Sequence, residues 1–315
     1  MNWQPAFGPP CELGESPFWH PAEQRLYWVD VAARCLLRAD PVAGTRECWA
    51  IPDEPGCIAP ALSGGLVIAL RDGIYRARDW GGALTLLAPA QHDTATTRFN
   101  DGRADPLGRF WAGTIYEPRN RPAAALYALD ARGGRPPELL CMAGDAINGN
   151  GLAWSPDART LYWADTSRHL IRAWDWDAQA NCLTRERVFH RFAPKPAGWQ
   201  PGASDQPGQP RYGGRPDGAA VDVEGNYWCA MYEGARLAKL APDGALLAEI
   251  ELPVPCPTMP CFGGPDLCTL FVTTARHGRS SAEIAALPLS GHVLALSVAV
   301  PGLPVNFFDD GAAPD

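Results

Sequence analysis

"WHPAEQRLYWVDV" at residues 19–31 returns as "WSPDARTLYWADT" at 154–166. Each copy runs Trp, a turn with Pro, a polar loop, then Leu-Tyr-Trp-x-Asp. An apolar strand, a tight turn and a second strand with an aromatic near its start read as a β-hairpin written twice. "ADPLGRFWAGT" (104–114) and "VDVEGNYWCAMY" (221–232) repeat the unit with a shorter turn. "FGGPDLCTLFVTTA" (262–275) and "LSGGLVIALRDG" (62–73) are more worn copies. With Tyr27, Val67, Trp111, Tyr162, Trp228 and Phe271 as markers, the spacings are roughly 40, 44, 51, 66 and 43 residues. One four-stranded blade occupies about that length. Six copies therefore predict an all-β chain, a six-bladed β-propeller around a central channel.

The rest of the chain agrees with that architecture. It has 32 Gly and 32 Pro in 315 residues, spread throughout, and long helical periodicity is absent. The richest helix-like window, 280–286, is barely two turns. The widest spacing contains "PKPAGWQPGASDQPGQPRYGGRP" (194–216), a Pro- and Gly-rich run without alternation, which reads as a loop inserted near the site face. Residues 1–315 are expected to form one propeller domain. Its ring closes by pairing the residues before Glu12 with "HVLALSV" (292–298).

Hydrophobic residues make up 46% of the chain, enough for a packed core. The net charge of −8 argues against a nucleic-acid or anionic-membrane partner, which would want a basic face. No segment reaches the roughly 18 apolar residues of a membrane helix, and the N-terminus does not read as a signal peptide. The expectation is a cytoplasmic protein, a monomer, with its ten cysteines reduced and buried. The histidines are scattered, and Ser16 and Ser155 lie outside any G-x-S-x-G elbow, so a serine-hydrolase mechanism has no support.

Four short motifs stand at equivalent places in the repeats: "LGESP" (13–17), "FNDG" (99–102), "NGLAWSPD" (150–157) and "RPDGAAVD" (215–222). Each puts one oxygen-bearing side chain a few residues ahead of an aromatic strand: Glu15, Asn100, Asn150 and Asp217. Singly these are turn sequences. In register across four blades, two carboxylates and two amides form a hard oxygen set that suits one divalent metal ion.

The motifs "GESP", "RFNDG…D…GR…AGT", "NGLAWSPD…LY..DT", "PDG…D.EG..W.A" and "CFGGPD…L..TTAR" resemble, in order and spacing, the SMP-30/gluconolactonase family (regucalcin and bacterial sugar lactonases) over roughly residues 12–300. The resemblance implies a six-bladed propeller with one divalent metal near the channel, Ca²⁺ first, with Zn²⁺, Mn²⁺, Mg²⁺ or Fe²⁺ as alternatives. It assigns metal ligation to the same Glu15, Asn100, Asn150 and Asp217. It also places Arg98, Asn100, Asp101 and Glu117 against the substrate. The expected activity is hydrolysis of a sugar lactone to its aldonic acid, with Asp217 as general base. A metal-dependent esterase and a calcium-binding protein without turnover are the alternatives. Trp199, in the insertion, could cap the pocket or pack locally.

Overall fold

A computed structural model describes residues 3–200 and 212–312. Its strands form six four-stranded antiparallel sheets. The first strand, β1 (Gln4–Phe7), is held apart from the sheet that follows it. Blade one is then β2 (Gly14–His20), β3 (Arg25–Asp30), β4 (Cys35–Asp40) and β5 (Thr45–Ala50). Blade two is β6 (Pro55–Pro60), β7 (Leu66–Leu70), β8 (Gly73–Ala77) and β9 (Leu84–Pro89). Blade three is β10 (Thr97–Ala104), β11 (Phe110–Tyr116), β12 (Ala124–Asp130) and β13 (Glu138–Ala146). Blade four is β14 (Gly149–Trp154), β15 (Thr160–Asp165), β16 (Leu170–Asp177) and β17 (Cys182–Arg191). Blade five is β18 (Arg215–Val221), β19 (Tyr227–Tyr232), β20 (Arg236–Leu240) and β21 (Leu246–Glu251). Blade six is β22 (Pro257–Gly263), β23 (Thr269–Thr274) and β24 (Val293–Ser297), completed by β1.

All six sequence markers fall on the second strand of a blade. The first strands are buried almost end to end, and the fourth strands are largely exposed. Each first strand packs on the first strand of the next blade, and β2 packs on β22, so the ring is complete. This is a six-bladed β-propeller. Closure follows the expected pairing, with Gln4 opposite Ala295 and Pro5 opposite Leu294.

The repeated aspartates explain why the hairpin motif recurs. Asp30 ends β3 and accepts from the backbone N–H of Glu12 and Leu13, just before β2. Asp165 ends β15 and does the same for Ile147 and Asn148, just before β14. On the shorter-turned copies, Asp105 accepts from Trp111 Nε1 at 2.8 Å and Asp222 from Trp228 Nε1 at 2.9 Å. A buried carboxylate with several donors fixes a turn because leaving those donors unpaired would cost about 1–3 kcal/mol each.

Two expectations need correction. All ten cysteines are free, but Cys48, Cys141 and Cys182 are exposed, because they lie on the outer strands β5, β13 and β17. The insertion ends at Gly214, since Arg215 and Pro216 already pair with Tyr232 and Met231 in β18; its residues 201–211 lie outside the described residues. Of the two readings open for Trp199, local packing is the one with contacts behind it: its ring lies 5.1 Å from that of Tyr212 and under the Lys195 ammonium.

Candidate active site

Every first strand carries one extra residue against its partner near its beginning. The irregularities fall between Glu15 and Phe18, Pro55 and Cys57, Phe99 and Gly102, Asn150 and Ala153, Pro216 and Ala219, and Pro257 and Met259. A bulge bends a strand and re-aims side chains. Asn100 and Asp217 lie inside the bulge and Glu15 and Asn150 are the paired residues just before it; in the other two blades the bulge holds Gly56 and Thr258, whose side chains offer no carboxylate or amide oxygen.

The four residues are buried, each at 8% exposure or less. The two amides meet: Asn100 Nδ2 donates to Asn150 Oδ1 at 2.7 Å and to the Gly149 carbonyl at 3.0 Å. Asn150 Nδ2 donates to Thr166 Oγ1 at 2.7 Å, and that hydroxyl donates to the Pro216 carbonyl at 2.6 Å. One chain of bonds therefore links blades three, four and five, and Thr166 is a member that sequence reading missed. Its signal was present, in the position directly after the Leu-Tyr-Trp-x-Asp motif.

Asp101 lies in the bulge beside Asn100. Its Oδ2 accepts from Leu152 N–H at 3.0 Å, so one oxygen secures the neighbouring blade. Its Oδ1 is buried without a hydrogen-bond partner, as is Glu15 Oε2. Burial drives Asp217 up to about 8, against the pull of Arg215 and with a further push from Asp101. Burial, then Asp217 and then Asp101 raise Glu15 well above the usual carboxylate range. Burial likewise raises Asp101. Three carboxylates thus crowd one dry region and disfavour one another's charge.

A hard divalent cation fits this arrangement. It would take up the orphaned oxygens and offset the crowded charge. Asn100 Oδ1 accepts from Arg98 Nη1 at 2.9 Å and Asn150 Oδ1 from Asn100, yet each carbonyl oxygen keeps a second lone pair for a cation. Among the described residues, no group of three His, Cys, Asp or Glu side chains is placed to hold a metal ion by itself, so a cation here would draw on the Asn100 and Asn150 amides as well.

Glu117 stands farther out. It is gripped by Arg71 through two bonds of 3.0 Å and lies 3.8 Å from Arg98 Nε. Arg71 also holds Glu54. Glu117 is therefore engaged with arginines from its own and the preceding blade, and a ligand hydroxyl would have to share it. Arg71 and Glu54 were missed because the network joins residues 17 and 46 positions apart.

The family model of the SMP-30/gluconolactonase/LRE-like region matches residues 13–276. The chain is 42% identical to a 6-deoxy-6-sulfogluconolactonase of Pseudomonas putida, over 93% of this chain and 94% of that one. It is 31% identical to regucalcin of Gallus gallus over 93% of each. Among solved structures it superposes on a calcium-binding regucalcin of Agrobacterium tumefaciens with a TM-score of 0.83 at 27% identity, covering 95% of this chain and 94% of that one. The chain belongs to the SMP-30/gluconolactonase/LRE-like family. Among the described residues, no helix is long and apolar enough to cross a membrane.

Proposed function

We propose that this member of the family is a metal-dependent lactonase that opens a sugar lactone to its aldonic acid. The observation that carries the reading is the cluster of Glu15, Asp101 and Asp217, three buried carboxylates with two orphaned oxygens, next to the paired amides of Asn100 and Asn150. Glu15, Asn100, Asn150 and Asp217 would hold the cation. When bound, a divalent cation supplies the electrophile that polarises the lactone carbonyl.

The remaining work falls to the chain's own side chains. Asp217 takes a proton from the attacking water and returns it to the leaving ring oxygen, the two duties of a general acid–base group. Arg98 presents guanidinium donors to sugar oxygens while anchored on Asn100 Oδ1 and the Phe99 carbonyl. Asp101 Oδ1, unpartnered, accepts from a sugar hydroxyl. Holding the lactone between these groups lowers the barrier by positioning.

The test is a pH-indicator assay on chelator-stripped protein with Ca²⁺, Mg²⁺, Mn²⁺, Zn²⁺ and Fe²⁺ added back singly. Five- and six-carbon aldonolactones, 6-deoxy-6-sulfogluconolactone and an aryl ester form the panel; the sulfonated lactone is included because a 42%-identical relative is named for it. Turnover of a lactone restored by one ion is the expected result. Silence on every lactone from folded, metal-loaded protein would reject the lactonase in favour of a binding role. Turnover of the aryl ester alone would move the assignment to a broader esterase.

A further inference from the structure

Three cations meet one carboxylate beside Asp217. Glu233, its side chain 8% exposed and its backbone at φ +65 on the turn after β19, has Lys195 Nζ at 2.5 Å, Arg215 Nη2 at 3.3 Å and Arg279 Nη1 at 3.6 Å. Arg279 also pairs with Glu283 at 2.7 Å. One Arg would neutralise Glu233, so the cluster holds more positive charge than its carboxylates balance. In a chain of net charge −8 this excess is local and is not the background of the surface. Surplus charge in a partly buried place is costly unless an anion shares it. Arg215 Nε is buried without a partner, a donor still to be used. The rings of Tyr232 under Arg215 and of Trp199 and Tyr212 around Lys195 hold the cations in place.

The cluster sits at the correct end of the molecule. Arg215 opens β18 two residues ahead of Asp217, about 7 Å along a strand. Glu233 follows β19 and Arg279 follows β23, both strands that end at the face where the first strands begin. That distance matches the reach from a lactone carbonyl across its ring to an exocyclic carbon.

We propose that Lys195, Arg215 and Arg279 form a subsite for a fixed tetrahedral oxyanion, a sulfonate or a phosphate, on the exocyclic end of the lactone. The proposal rests on the lactonase reading above and adds to it the class of substituent the site reads. Arg forks and a Lys ammonium are the usual donors to such groups.

The experiment compares kcat/KM for gluconolactone, its 6-sulfo form and its 6-phospho form, at low and high NaCl. It uses the natural chain, Lys195→Met on the exposed side of the cluster, and Glu233→Gln, which removes the competing carboxylate. The natural chain should favour a charged lactone, with the preference falling as salt rises. Lys195→Met should lower the charged-to-neutral ratio about tenfold, through KM, the loss of one charge-assisted contact. Glu233→Gln should raise it, a sign that a purely structural role would not produce. Which charged lactone leads separates sulfonate from phosphate. Turnover with a ratio unmoved by both substitutions would overturn the subsite. If no lactone turns over, the function fails separately, and inorganic sulfate still reads the subsite. A rise in Tm with sulfate for the natural chain but not for Lys195→Met supports it, and no rise in either overturns it.

Discussion

Asp217 concentrates the argument at the scale of single residues. It is buried at 6% exposure, raised to about 8, and set where Glu15 and Asp101 crowd it. Asp217→Asn keeps the shape and an oxygen donor but cannot carry a proton between water and the leaving group. Removing a general base costs about 10²- to 10⁴-fold, so kcat should fall by that factor while Tm stays within a few degrees. Steady-state kinetics and a thermal melt on one preparation decide it; a folded variant within threefold of the natural rate means that Asp217 is not the base. The four oxygen residues were legible because each stands at about the same depth in a repeat, within one residue of the bulge. Their supports were not. Thr166 ties Asn150 to Pro216 across 16 and 50 residues of chain. Arg71 reaches Glu117 across 46. Asp101 spends one oxygen on Leu152, 51 positions on, a duty that no local motif announces. The cationic cluster was equally hidden, because Lys195, Arg215, Glu233 and Arg279 come from four separate segments.

At the scale of elements, the bulge at the head of each first strand turns a repeated hairpin into a site. The motif spacing made the blades legible and the bulges were not, since one extra residue in a strand has no distinct sequence signature. The bulges also demand glycine at particular places. Gly56 lets β6 approach β10, for a Cβ there would lie 2.5 Å from the Phe99 carbonyl group and 2.9 Å from Asn100 N. Gly151, next to Asn150, has φ +58, and a Cβ on it would come within 2.2 Å of the Tyr227 hydroxyl, which donates to the Gly151 carbonyl at 2.6 Å. Gly151→Ala should therefore cost about 3 kcal/mol, combining left-handed backbone strain with overpacking. It should also weaken metal binding, because the peptide that Asp101 grips through Leu152 must shift. Urea denaturation with and without the activating ion measures both effects. A loss of stability below about 0.5 kcal/mol, or unchanged affinity for the ion, would show that the bulge tolerates a side chain and does not set Asn150.

The whole molecule closes its ring and its far end with the two ends of the described chain. Leu303 N–H reaches the Val221 carbonyl, Asn306 Nδ2 the Ala104 carbonyl, and Phe308, fully buried, bonds the Pro60 carbonyl. This segment bounds a cavity of about 260 Å³ below the site, lined by Ile58, Arg103, Ala153 and Met259 among others. A substrate would then approach from the face where the first strands begin. The crossing was not legible, since residues after 300 carry neither alternation nor a repeat. Ring closure was, because an apolar run at 292–298 needed a partner and the sequence before Glu12 could supply one. The seam is well packed: Phe7 stacks on Trp28 of blade one and Phe271 of blade six at 5.9 Å each, and Trp3 Nε1 donates to the Glu251 carbonyl at 2.7 Å. Removing residues 1–8 strips β24 of its partner, exposes an apolar sheet edge and uncovers those rings. Burying one such aromatic is worth about 1.5–3 kcal/mol, and in a chain of this size each kcal/mol moves Tm by about 2 °C. The truncated chain should melt at least about 5 °C lower and run in part as larger species on gel filtration. If it melts as before and elutes as one peak, β1 covers an edge that β24 does not need covered, and closure rests on the contact between β2 and β22 alone.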